Sequence, residues 1–267
     1  MYQDSRTKVV SGPDALWRVE TRRDFLKMLG VGGTIVLLPS LFAACNDHDN
    51  GTGPGTSGAV SLNLSTDTGI LNYAYALEQL EAAFYTAVVA STAFSGMSAE
   101  LKEVFTDLQN HEVAHREFLK AALGASAIGA LALNNATVTA SIANTATILK
   151  NAEAFEDLGV SAYNGAGKYF VDGNLLNLAG KIVSVEARHA AAIRDLREGN
   201  NLAGTAANTR FAGDDVVNSN GLDVKLEPAA VLTRVGATGF VTTSIAIDTN
   251  PTITSASADA GPPNPTP

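Results

Sequence analysis

Two short runs place a glutamate three residues before a histidine: Glu112-Val113-Ala114-His115 and Glu186-Ala187-Arg188-His189. Residues three apart on a helix share a face, so each run offers a carboxylate and an imidazole side by side. Upstream of each run stands a lone glutamate with a tyrosine seven residues later, Glu78 with Tyr85 and Glu156 with Tyr163. Their surroundings repeat as well, Ala76-Leu77-Glu78-Gln79-Leu80 against Ala154-Phe155-Glu156-Asp157-Leu158. Each half therefore reads Glu-x6-Tyr and then Glu-x-x-His, an internal duplication. Four carboxylates and two imidazoles on facing helices form a mixed oxygen and nitrogen donor set, which suits iron or manganese and leaves exchangeable positions. Four glutamates inside an apolar bundle are very costly without such ions, and two divalent cations balance their charge. The candidate metal ligands are thus Glu78, Glu112, His115, Glu156, Glu186 and His189. Tyr85 and Tyr163 either donate hydrogen bonds to the ligating carboxylates, assisting the chemistry from just behind them, or pack in the core.

Other chemistries fit parts of this pattern less well. His111-Glu112-Val113-Ala114-His115 also matches the HExxH arrangement of zinc proteases. That motif needs a third protein ligand downstream, and neither Glu nor His occurs between Phe118 and Ala152. In the second copy Val185 stands where His111 would, so the repeated unit is Glu-x-x-His. His111 is then expected beside the ligands or on the surface. Glu81 and Glu153 each lie one turn from a proposed ligand, but neither repeats in register with a tyrosine, and Gly159 takes the place that corresponds to Glu81. Both are expected to be solvated helix charges. A bundle of purely structural glutamates, with no metal, is the remaining reading.

The elements that position these residues follow from hydrophobic spacing. Leu71, Ala74, Leu77, Leu80, Phe84 and Val88 recur at helical intervals over 70–90, with Thr66 or Asp67 as N-cap. Ser98 caps a second helix that carries Glu100 and Glu103 in its first turn and closes at Gly124. A third pattern covers 144–170 and a fourth runs from near Asn174 to Gly199. Short links join helices one to two and three to four, so each pair is an antiparallel hairpin. The stretch 125–143 between the pairs is long enough, extended, to run the length of a bundle. The predicted fold is all-α: a four-helix bundle with one long crossover between helices two and three, plus an irregular, partly β C-terminal extension over 201–267. In that extension FVTTSIAI (240–247) is strand-like, GPPNPTP (261–267) is expected to be disordered, and no helical period is visible.

With these residues in place the region 67–199 resembles the ferritin-like superfamily of di-metal carboxylate proteins. ILNYAYALEQLEAAFY, HEVAHREFLKAALG and EDLGVSAYNGA are similar to its bacterial ferritin-like and plant desiccation-related branch. The resemblance implies the same six ligands, all of which are present. It makes two chemistries natural, ferroxidase-type iron oxidation and manganese-catalase-type peroxide removal. It also suggests a metal-binding or stress-protective structural protein without turnover. Storage in a closed shell fits a tethered chain with a long tail poorly.

Composition and the chain's first residues frame this reading. The 267 residues carry 27 Asp+Glu against 18 Lys+Arg, a net charge of −9, which argues against nucleic acid as a partner. A single cysteine excludes a disulfide framework and Cys-rich metal sites. Thr21-Arg22-Arg23-Asp24-Phe25-Leu26-Lys27, followed by an apolar run too short to span a bilayer comfortably, resembles a twin-arginine export signal. Leu41-Phe42-Ala43-Ala44-Cys45 resembles a lipoprotein cleavage box, which makes Cys45 a candidate lipid anchor. The expected organisation is a signal segment over 1–44, a flexible tether over 45–66, the bundle over 67–200 and the extension over 201–267. The expected protein is exported to the periplasm or cell envelope. There it is an oxidoreductase acting on dioxygen or peroxide or, alternatively, a non-catalytic metal-binding protein.

Overall fold

The computed structural model describes residues 59–199 and 211–251. The expected signal segment, Cys45, most of the expected tether and the GPPNPTP run lie outside the described residues. Four long helices dominate: α1 (Asp67–Val89), α3 (Ala99–Leu123), α5 (Thr145–Ala166) and α6 (Gly173–Gly199), with a one-turn helix α2 (Thr92–Ser95) in the first link. None of the described helices is long and apolar enough to cross a membrane.

Side chains set where these helices start. The Thr66 hydroxyl accepts from the Gly69 amide, Ser98 from Leu101 and Asn144 from Thr147, each satisfying an amide that the first turn leaves free. Gly124 ends α3 with φ +54°, a backbone that favours glycine. α1 packs along α3 and α5 along α6, the two hairpins expected from the short links. α1 is buried on nearly every side, with polar residues Asn72, Gln79, Glu78 and Glu81 among its buried positions.

Two of those polar residues hold the crossover. Asn72 donates to Ser126 O at 2.9 Å and accepts from Ile128 N at 2.8 Å. Two turns later, Gln79 donates to Gly129 O at 3.4 Å and accepts from Leu131 N at 2.9 Å. An amide carries a donor and an acceptor together, so each mimics one rung of a strand and satisfies backbone that would otherwise lie unpaired against a helix. The crossover is not wholly extended, however. It contains a short helix α4 (Asn135–Ser141), because Asn134 supplies an N-cap to Thr137 N and Val138 finds a buried seat.

The segments flanking the bundle differ most from expectation. Residues expected to end the tether form strand β1 (Val60–Asn63), which pairs in parallel with β2 (Ile245–Thr249). Leu62 and Leu64 are buried in the main core, which explains why this stretch is ordered as part of the fold. The extension also holds a helix, α7 (Pro228–Thr238), where no helical period was visible. Its proline at the start and Gly239 in the left-handed region at its end are ordinary helix boundaries, but Val231 and Val235 alone make too narrow an apolar stripe to register. Only the end of the expected strand 240–247 lies in β2. Phe240 instead leaves the surface altogether and meets Phe84 and Phe155 edge-on, with centroids 6.1 and 5.4 Å away.

The extension is clamped to α5 and α6 at two further points. Leu226 N donates to Ser161 O at 2.9 Å, and a Cβ on Gly165 would lie 1.8 Å from Leu226 O, so only glycine admits the chain there. Arg194, almost fully buried on α6, forks onto Asp157 of α5 at 2.9 and 2.6 Å and onto Asp215 at 3.2 and 2.8 Å.

Candidate metal centre

Helical spacing puts Glu112 and His115 on the inner face of α3, and Glu186 and His189 on the inner face of α6. Glu78 comes from α1 and Glu156 from α5. The structure brings all six together. They form two overlapping groups, Glu78, Glu112, His115 and Glu186 in one, Glu112, Glu156, Glu186 and His189 in the other. Within each group the donor atoms lie within 4.8 Å of one another. All four carboxylates are fully buried and His189 nearly so.

The two shared glutamates divide their oxygens between the histidines. Glu112 turns Oε2 to His115 Nδ1 at 3.3 Å and Oε1 to His189 Nδ1 at 2.7 Å. Glu186 turns Oε1 to His115 Nδ1 at 2.9 Å and Oε2 to His189 Nδ1 at 3.7 Å. The lone glutamates each serve one histidine: Glu78 Oε2 lies 3.5 Å from His115 Nδ1, and Glu156 Oε2 lies 3.4 Å from His189 Nδ1. Their other oxygens are taken from behind. The Tyr163 hydroxyl donates to Glu78 Oε1 at 2.5 Å, and the Tyr85 hydroxyl donates to Glu156 Oε1. Each tyrosine thus crosses to the carboxylate of the other half rather than its own, because α1 and α5 run antiparallel and seven residues span the offset between the two glutamates.

The inward atoms have no such partners. Glu78 Oε2, Glu112 Oε1, Glu156 Oε2, both oxygens of Glu186 and His189 Nδ1 are buried with no partner outside the cluster itself. Orphaned buried oxygens are rare and each needs an explanation. Here the orphans are the atoms that converge, while the atoms facing outward on the lone glutamates are satisfied. This donor set fits a pair of cations.

Electrostatics carry the same message. Burial pushes Glu112 well above the usual carboxylate range, with the charge of Glu186 adding to it, and burial lifts Glu156 to about 7. Burial opposes ionisation of Glu186 too, yet hydrogen bonds from His115 and His189 outweigh it and hold this group down at about 2. Burial opposes charge on His189, but hydrogen bonds to Glu112, Glu156 and Glu186 raise it to about 12; His115 is raised in the same way by Glu112, Glu186 and Glu78. In the absence of cations, positive charge on the two imidazoles offsets the repulsion among the carboxylates. Metal ions supply that positive charge more directly.

Several neighbours refine the reading from sequence. His111 stacks on His189 with rings 9° apart and sets its Nδ1 3.0 Å from His189 Nε2. It therefore lies directly behind a ligand candidate, as the first of its two expected places had it. With Nδ1 of His189 facing the centre, its Nε2–H donates to His111, an arrangement that fixes tautomer and ring orientation. Glu153 is not a free solvated charge: it is largely buried and paired with Arg197. Glu81 departs further from expectation, being only 3% exposed, with its carboxylate against the backbone of Gly159. The signal for its burial was the glycine at the corresponding place of the other half, which leaves room for a side chain. A narrow, almost wholly apolar cavity lies one turn from Glu78, His115 and Glu186, where Ala74, Leu119 and Ile182 stand four residues from those groups and Tyr163 closes the floor.

A four-helix bundle with one long crossover, enclosing a duplicated set of Glu and Glu-x-x-His donors, is the arrangement of the ferritin-like carboxylate bundles. The chain belongs to the ferritin-like domain family, whose pattern matches residues 66–199. No curated protein matches the chain.

Proposed function

We propose that the protein holds two iron or manganese ions on Glu78, Glu112, His115, Glu156, Glu186 and His189 and uses them to react with dioxygen or peroxide. The observation that carries this reading is the division of oxygens: Glu112 and Glu186 each present one oxygen to either histidine, while the outward oxygens of Glu78 and Glu156 are occupied by tyrosines. Iron or manganese bound there supplies one-electron chemistry toward an oxidant. The chain's own residues do the rest. Tyr85 and Tyr163 hold the lone carboxylates so that a single oxygen faces inward. His111 orients His189. The apolar cavity beside Glu78, His115 and Glu186 favours a small uncharged oxidant and keeps bulk water away from that side.

The twin-arginine-like segment and Cys45 support placement in the cell envelope, with or without a lipid anchor. The test of the reading is to measure iron and manganese per chain in the purified protein and then follow absorbance after ferrous iron and dioxygen, or after peroxide. About two metals per chain with oxidant-dependent turnover supports the oxidoreductase. Metal bound with no turnover on either oxidant leaves a metal-binding protein and overturns the catalytic part.

A further inference from the structure

Glu81 is a buried carboxylate that the six-ligand arrangement does not use. It lies three residues beyond Glu78 on the same face of α1, as Gly159 lies three beyond Glu156 on α5. The reciprocal contacts Tyr85 to Glu156 and Tyr163 to Glu78 tie α1 and α5 in antiparallel register, which sets Glu81 and Gly159 opposite each other midway between the two lone glutamates. A Cβ at Gly159 would come within 2.8 Å of Glu81 Oε1, so this glycine is the notch that admits the carboxylate. Its Oε2 is buried with no hydrogen-bond partner, and the charges of Glu186, Glu112, Glu78 and Glu156 all act on it. Leu77, Leu80, Phe155, Leu158 and Val235 surround the remaining space, and none of them can hydrogen-bond a carboxylate through its side chain.

An apolar notch is a poor resting place for a glutamate unless something recovers the cost of burying it. No cation side chain hydrogen-bonds or pairs with Glu81 among the described residues. The charge within reach is whatever the neighbouring cluster binds.

The geometry points to Glu81 as a seventh protein donor of the metal centre, a buried carboxylate that enters from the α1–α5 seam between Glu78 and Glu156. This inference rests on the two-metal reading above. It makes the duplicated site asymmetric: one half contributes Glu-x-x-Glu on its first helix, the other Glu-x-x-Gly. The fifth carboxylate exceeds the charge that two divalent cations balance, so the centre is suited to an ion pair carrying a further positive charge.

The test uses metal-free protein titrated with cobalt(II), whose visible bands report coordination directly, for wild type, Glu81→Gln and Gly159→Ala. Glu81→Gln is expected to weaken the second cobalt by about tenfold or more and to change the band intensity. The same variant without metal is expected to melt no lower than wild type, since Glu81 Oε2 makes no hydrogen bond for the substitution to break. Gly159→Ala closes the notch and moves the flexible carboxylate, so its bands are expected to shift while two cobalt ions still bind. Two cobalt ions bound to Glu81→Gln with wild-type affinity and bands would overturn the seventh donor alone. Failure of wild type to bind cobalt at the cluster would overturn the two-metal reading and this inference together.

Discussion

Each imidazole of the centre faces three carboxylates, and this sets how the metal-free chain responds to pH. Burial holds Glu112 and Glu81 well above their ordinary 4.5 and lifts Glu156 to about 7; the glutamates, against the effect of burial, raise His189 from 6.5 to about 12 and hold His115 well above its ordinary range. A group whose pKa is raised on folding contributes stability that is complete below its unfolded value and lost as pH rises through its folded value. The carboxylate part of that loss begins near 4.5 and, for Glu156, is complete near 7; the His189 part begins near 6.5. Glu186, lowered to about 2, runs the other way, but its contribution is lost only as pH falls below 4.5. Thermal melts of chelated protein are therefore expected to fall in midpoint from about pH 5 to about pH 8. Metal binding displaces the same protons, so the gain in midpoint on adding metal should grow over that interval. A metal-free midpoint that rises with pH would contradict the arrangement of charges. At this scale the sequence named the six converging residues, because Glu-x-x-His and Glu-x6-Tyr repeat in register. It could not separate a buried Glu81 from a solvated one, since positions three apart share a face and burial there depends on the glycine across the seam.

The helices were legible where a polar cap meets an apolar period. Thr66, Ser98 and Asn144 start α1, α3 and α5 as their types require, and Gly124 ends α3. The missing elements have neither signal at full strength. α4 has a good cap in Asn134 but only seven residues, and α7 buries little beyond its two valines and first proline. β1 was hidden because a four-residue strand gains its pairing from β2, far along the chain. Tertiary contact, not local preference, orders these pieces. The seat of Phe240 shows how firmly the extension is held: its ring is 1% exposed between Phe84 and Phe155, at the far end of α1 from the apolar cavity. Phe240→Ala should cost about 3–5 kcal/mol, read by denaturant unfolding, because the cavity it leaves is walled by helices that cannot close on it. A loss below about 1 kcal/mol would mean that the extension is not part of the same core.

Across the whole molecule, two antiparallel hairpins are brought face to face by one crossover, and the parallel pairing of β1 with β2 closes the chain around them. The crossover lies along α1 through Asn72 and Gln79, and the extension caps the α5 side through Leu226, Arg194 and Phe240. These outer pieces leave the inner faces of α1, α3, α5 and α6 free to meet around charge. Six donors that lie up to about a hundred residues apart in sequence then share one buried space, and their unpaired oxygens face its middle. That convergence is the central claim. Anomalous diffraction from crystals grown with manganese or ferrous iron tests it most directly. The account predicts two peaks, one beside His115 Nδ1 and one beside His189 Nδ1, both held between Glu112 and Glu186. Crystals of folded protein with no peak among these six residues, or with the metal bound elsewhere on the chain, would contradict it.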